Sequence, residues 1–171
     1  PSLEQTLSAG YWTPIERFSR DIQSNSEWHR VLEGRYEQFP IMYRGEEHGT
    51  VNWHVIGAHN QTNALAAIVA ANALGVPCAT ACASLSSFKL PERRLELAIQ
   101  TPDGVRLYDD FAHHPTAIRV TLDALRVQAG RNRLIAIIEP RSNTMRQGHP
   151  LAILCHAIQA ADIAIILRDS T

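Results

Sequence analysis

The chain has 171 residues, 45% of them hydrophobic, which supplies enough apolar side chain for a core and argues against disorder. Sixteen basic side chains against 17 acidic ones leave a net charge of −1, so there is no electrostatic footprint for nucleic acid or an anionic membrane surface. The length suits one domain, or one small domain with part of another.

In chain order, Leu3 and Leu7 at helical spacing predict a short helix in 1–10, stopped by Gly10. That segment has no basic flank followed by an apolar block, and runs such as Leu65–Ala71 and Leu134–Ile138 are too short to span a bilayer, so the reading is of a cytoplasmic protein without a membrane partner. Tyr11–Asp21, with Pro14, reads as a loop. From Trp28 to Ile56, β-type residues sit among turn signals at Gly34, Pro40, Gly45 and Gly49, which predicts several antiparallel strands with the aromatics in a core.

Gly57 then turns the chain into an Ala-rich helix, for which Asn60 is a candidate N-cap and Gly75 the terminator. Asn60 and Asn63 lie three apart, so both amides can face one way and offer donor and acceptor together to a purine edge or a carbonyl. By themselves they are a cap and a surface amide; a neighbouring site would make them recognition groups. Cys78, Cys82 and Cys155 form no spaced framework and read as buried, reduced hydrophobes, although Cys78 and Cys82 share a helical face that suits a metal in principle. Pro77 starts a helix to about Phe88, and Lys89-Leu90-Pro91-Glu92 reads as a linker holding the chain's single lysine.

Beyond the linker a strand runs from Arg93 to Ile99 and turns at Asp103-Gly104 into a second strand ending in Asp109-Asp110. Adjacent strand side chains point to opposite faces, so at most one of Arg93 and Arg94 faces a given site, where its guanidinium would fork onto phosphate oxygens. Asp109-Asp110-Phe111-Ala112-His113-His114-Pro115 packs two carboxylates and two imidazoles between a strand end and a helix start. Few cores need that. In an α/β sheet such a turn binds ligands, with Asp110 able to accept from a ribose hydroxyl and His113 able to donate to phosphate oxygens. A helix follows to about Gln128, then a strand over 133–139, a helix over 150–160 and a strand over 163–167. Strands alternating with helices predict an α/β fold with a Rossmann-like, mostly parallel sheet, and place Arg141, Ser142 and Asn143 on its ligand edge, suited to a carboxylate.

The ordered set Gly57-Ala58-His59-Asn60-Gln61-Thr62-Asn63-Ala64, Phe88-Lys89 with Arg93-Arg94-Leu95-Glu96, and Asp109-Asp110-Phe111-Ala112-His113-His114-Pro115-Thr116-Ala117 resembles the Mur ligases, ATP-dependent amide ligases of peptidoglycan synthesis. Phe111-Ala112, Thr116-Ala117 and Glu139-Pro140-Arg141-Ser142-Asn143-Thr144-Met145 resemble the recycling branch. That branch joins L-alanyl-γ-D-glutamyl-meso-diaminopimelate to UDP-N-acetylmuramate; its sister branch adds L-alanine instead. The resemblance implies ATP contacts at His59, Asn60, Asn63, Arg94, Asp110 and His113, and a hold on the peptide's carboxylates at Arg141, Ser142 and Asn143. It also implies a truncated C-terminal domain over 89–171, preceded over 1–88 by a strand-and-helix remnant of the central ATP-binding domain.

Such ligases cradle phosphate with Gly-x-x-x-x-Gly-Lys-Ser/Thr and use Mg2+, yet this sequence contains no Gly-Lys pair. The expectation is therefore a fragment, inactive alone, with its magnesium ligands upstream. Two other classes fit the residues: a metal-dependent phosphohydrolase using Asp109, Asp110, His113 and His114 as ligands, and a non-catalytic binding domain that has lost its phosphate loop.

Overall fold

The protein is described by a computed structural model over residues 3–20, 26–30, 36–139 and 151–167. Helix α1 (Leu3–Ser8) is the short N-terminal helix, followed by Gly10 at φ 113°. In the first sheet, β1 (Phe18–Ser19) runs parallel to β2 (Trp28–Arg30), and β2, β3 (Gln38–Tyr43) and β4 (Glu46–Asn52) pair antiparallel. Phe39 and Ile41 are fully buried on one face of β3, as the two-residue period of a strand dictates. Pro40 lies beside the register shift between Ile41 and Met42, where a residue without an N–H is tolerated. Arg44 and Gly45 both take positive φ, 49° and 87°, the tight hairpin turn whose twist matches its strands.

Two helices cover this sheet, α2 (Ala58–Ala73) and α3 (Cys78–Ser84), the second continuing as a 3₁₀ turn over Leu85–Ser87. Leu65, Ile68 and Val69 recur at helical spacing and pack against Phe39, Ile41 and Val51. Burying side chains of this size stabilises by about 1.5–3 kcal/mol each. Helix α3 lies close on β4 because residue 49 is glycine; a Cβ there would stand 3.0 Å from Cys82 Sγ. Cys78 and Cys82 are buried and unbridged, with their sulfurs 3.9 Å apart, and burial pushes the Cys82 thiol up to about 12. Cys155 departs from the expectation of burial. It is exposed on α5 (Leu151–Ala157), whose buried face is carried by Leu154 and Ala157 instead.

The second half begins with the antiparallel hairpin β5 (Glu96–Gln100) and β6 (Arg106–Asp109). Helix α4 (Pro115–Ala129) follows, then β7 (Ile135–Ile138), α5 and β8 (Ile163–Ile166), with β8 parallel to β7. The α/β expectation holds, and the sheets are mixed: β7–α5–β8 is the parallel unit, and the hairpin forms a separate pair among the described residues. The first strand starts at Glu96 rather than Arg93 because Arg93 and Leu95 take φ 59° and 51°, which no strand contains. Helix α4 is capped by His114, whose Nδ1 accepts from the Thr116 N–H at 3.2 Å, has Pro115 at its first position, and ends at Gly130. Ile118 and Leu122 pack on Ala136, Ile138 and Leu154. Arg126 fastens the far end of α4, donating to Ala160 O at 2.9 Å and to the Asp162 carboxylate at 2.7 Å.

A smaller apolar cluster of Ile56, Leu95 and Ala124 joins the two halves. Among the described residues no helix is long and apolar enough to cross a membrane.

Candidate functional site

Where the halves meet, α2, the segment after the 3₁₀ turn, the turn at Arg94 and the first turns of α4 enclose a cavity of about 440 Å³. Its walls are apolar, with Trp53, Phe88, Leu90 and Val120 among them, and its polar groups are His59, Asn60, Asn63, Arg94 and Asp110. These polar residues come from three separated stretches of chain. A mainly apolar pocket with a few convergent polar groups is the usual form of a small-molecule site.

Helix α2 reaches this cavity because Gly57, at φ 99°, is its N-cap. Asn60 was the expected cap; it lies instead in the first turn, where its Nδ2 donates to Ile56 O at 2.9 Å. The carbonyl that Asn60 satisfies is that of the residue before the cap, so glycine's freedom rather than an amide side chain makes the turn. Asn63 Nδ2 lies 3.5 Å from Asn60 Oδ1. Asn60 is buried and anchored, and the exposed Asn63 carries the free face of the amide pair toward the cavity.

Asp110 holds the other wall. One carboxylate oxygen accepts from the Leu95 N–H at 2.8 Å, and the other accepts from the Ala112 N–H at 2.8 Å and the Thr121 hydroxyl at 3.4 Å. These bonds lock the positive-φ turn Arg93-Arg94-Leu95 against the loop before α4. Arg93 donates to the Asp109 carboxylate at 3.0 Å and lies over the Phe111 ring, while Arg94 lines the cavity with Asn63. The two arginines therefore serve different cavities, through a left-handed turn rather than through strand alternation.

His59 is half-buried, and burial holds its imidazole below the ordinary value of 6.5, against the smaller upward pull of Asp110 and with a further downward push from Arg94. Its Nδ1 is buried and has no hydrogen-bond partner. Because the folded form disfavours the proton, the unfolded chain binds it first as pH falls. The stability that goes with the neutral ring is complete above about pH 6.5 and is lost as pH falls from there toward the folded-state value. The urea midpoint of the parent chain is therefore expected to drop more between about pH 7.5 and about pH 5.5 than that of His59→Gln. Equal drops would remove His59 as the source.

His113 does not line this cavity. It faces a second one, of about 560 Å³, with Arg93, Asp109, Phe111, strand β7 and Leu167 just beyond β8; Asp110 borders both. The four-residue metal site is not formed: Asp109 pairs with Arg93, Asp110 takes backbone N–H groups, His113 Nδ1 lies 3.1 Å from Phe111 O, and His114 caps α4. Arg141, Ser142 and Asn143 lie outside the described residues. Sequence reasoning missed Trp53, Phe88 and Leu90 as cavity walls. Phe88 carried a signal in its place beside the expected linker Lys89-Leu90-Pro91-Glu92.

Residues 93–171 match the Mur ligase, glutamate ligase domain. Over 171 residues the chain is 40% identical to the UDP-N-acetylmuramate–L-alanyl-γ-D-glutamyl-meso-2,6-diaminoheptandioate ligase of Escherichia coli, covering 99% of this chain and 36% of that protein. The chain belongs to the Mur ligase family. Its fold agrees, with a TM-score of 0.67 and 43% identity to the murein peptide ligase of Psychrobacter arcticus over 96% of this chain and 34% of that one. The UDP-N-acetylmuramate–L-alanine ligase of Thermosynechococcus vestitus is also 40% identical, but over 111 residues, 63% of this chain and 23% of that protein. The chain spans about a third of the length of the tripeptide-ligase relatives it matches. As a Mur ligase segment, it belongs to a family of enzymes that use ATP and Mg2+.

Proposed function

We propose that this chain is the nucleotide-clasping part of an ATP-dependent carboxylate–amine ligase that joins L-alanyl-γ-D-glutamyl-meso-diaminopimelate to UDP-N-acetylmuramate in peptidoglycan recycling. In that reaction the muramate carboxylate takes the γ-phosphoryl group of ATP to give an acyl phosphate and ADP. The peptide's amine then attacks the acyl carbon and releases phosphate. Residues 1–88 form the end of the central ATP-binding domain and 89–171 part of the C-terminal domain, so the cavity between them is the nucleotide cleft.

The convergence of Asn63, Arg94 and Asp110 with apolar Trp53 and Phe88 on one cavity carries this reading. The donor set suits a nucleoside: an amide for a base edge, a carboxylate for a ribose hydroxyl, and a guanidinium for a phosphate. Magnesium does not fit here. Asp109 is paired with Arg93, and the described residues contain no cluster of three metal-type ligands that Asp110 could join. Likeness along nearly the whole chain to the tripeptide ligases, against 63–75% of it for the L-alanine ligases, favours the tripeptide as the amine.

The test is ADP release by this segment joined to the rest of a full-length ligase, with UDP-N-acetylmuramate and either tripeptide or L-alanine. Release that depends on the tripeptide is expected, and none from the 171-residue chain alone. Dependence on L-alanine would move the chain to the sister branch.

A further inference from the structure

We propose that Cys78 and Cys82 form a two-thiolate seat for a soft divalent cation of the zinc and cadmium class, apart from both cavities. Neither residue lines the nucleotide cleft or the second cavity, so the site is independent of the ligase reading. The two cysteines lie four residues apart in α3, a spacing that stacks them on one helical face. Their sulfurs stand 3.9 Å apart with no bond between them. Two thiolate corners of a tetrahedral site with metal–sulfur bonds of about 2.3 Å are about 3.8 Å apart. The pair already spans the edge of such a site, and the helix holds it there.

The setting selects the charge and softness of the occupant. Cys78 and Cys82 are 6% and 1% exposed and belong to the core cluster of Phe39, Ile41 and Val51, where an isolated charge is costly. On binding, two S–H bonds break, two metal–sulfur bonds form and two protons pass to water. A divalent cation held by two thiolates carries no net charge, which an apolar core accepts. Sulfur ligands favour soft ions over magnesium or calcium, which take oxygen. Gly49 keeps the β4 side of Cys82 Sγ clear, since a Cβ there would stand 3.0 Å from it. The Glu47 carboxylate on the same strand is near enough to act on the Cys82 thiol and draws a cation toward it. No third protein donor joins the pair among the described residues, so solvent completes the coordination.

The test uses the chain carrying Cys155→Ala, which removes the exposed third thiol, with Cd2+ as the probe. The readouts are the ultraviolet charge-transfer absorption of a cadmium–thiolate bond and the rise in thermal midpoint that ligand binding produces. Saturation at one Cd2+ per chain is expected, undisturbed by excess Mg2+. Adding Cys78→Ser or Cys82→Ser is expected to weaken binding by about a hundredfold or more, because the second sulfur no longer acts at high effective concentration. Where either variant fails to fold, X-ray absorption at the cadmium edge of the Cys155→Ala chain decides: two sulfur neighbours support the seat, and one or none overturns it. Absence of the absorption band, or full affinity in either serine variant, overturns it as well.

Discussion

Gly57→Ala is expected to destabilise the chain by about 2–5 kcal/mol, from two sources that act at one atom. At φ 99° an L side chain is strained whatever space surrounds it, and here the space is occupied: an added Cβ would stand 2.7 Å from His59 Cε1, 3.0 Å from His59 Nδ1 and 3.1 Å from Ala124 Cβ. Ala124 belongs to α4 and to the Ile56–Leu95–Ala124 cluster, so the methyl group would push the two halves apart as well as rotate His59 out of the cleft. Gly75→Ala is the control. Gly75 has a similar φ of 88° and nothing within 4 Å of its Cβ position, so it loses only the backbone contribution, about 1–3 kcal/mol. Urea midpoints of the two variants measure the difference. Equal losses would mean that the junction yields to the extra methyl group, and the close approach at Gly57 would then have no energetic weight.

Asp110→Ala is expected to cost about 2–3 kcal/mol and to loosen the wall of the cleft, because two backbone N–H groups lose a charged acceptor. Leu95 N–H and Ala112 N–H each donate to the carboxylate at 2.8 Å, and Leu95 is held at φ 51° while doing so. Without that acceptor the turn relaxes toward negative φ and Arg94 leaves the cavity. Asp110→Asn keeps one acceptor oxygen and sets an amide donor against one of the N–H groups, so its loss falls between the parent and alanine. Hydrogen exchange at the Leu95 and Ala112 amides reads the effect directly. Faster exchange at both in Asp110→Ala, with the interior of α2 unchanged, is the expected result. Unaltered protection would show that the turn holds itself and that Asp110 serves only the ligand side.

Helix α4 was legible because its signals are local: Pro115 at the first turn, Gly130 at the end, and Ile118 and Leu122 at helical spacing. The hairpins at Arg44-Gly45 and Asp103-Gly104 were legible for the same reason. The start of β5 was not, since positive φ at Arg93 and Leu95 costs energy locally and is sustained by Asp109, Asp110 and Glu96, three carboxylates of which two lie well along the chain. The motif carrying Asp110 and His113 read as one site, but a short loop can face two ways, and here Asp110 borders both cavities while His113 faces the second.

The sequence by itself determined the α/β class, the family and the residues that carry polar chemistry, because periodicity, turn chemistry and motif order are written in neighbouring residues. Only the tertiary structure decided that Gly57 rather than Asn60 starts α2, that Arg93 and Arg94 part to different cavities, and that Trp53 and Phe88 complete the cleft. Each of those depends on a contact between residues distant in the chain, whose energy no local propensity contains.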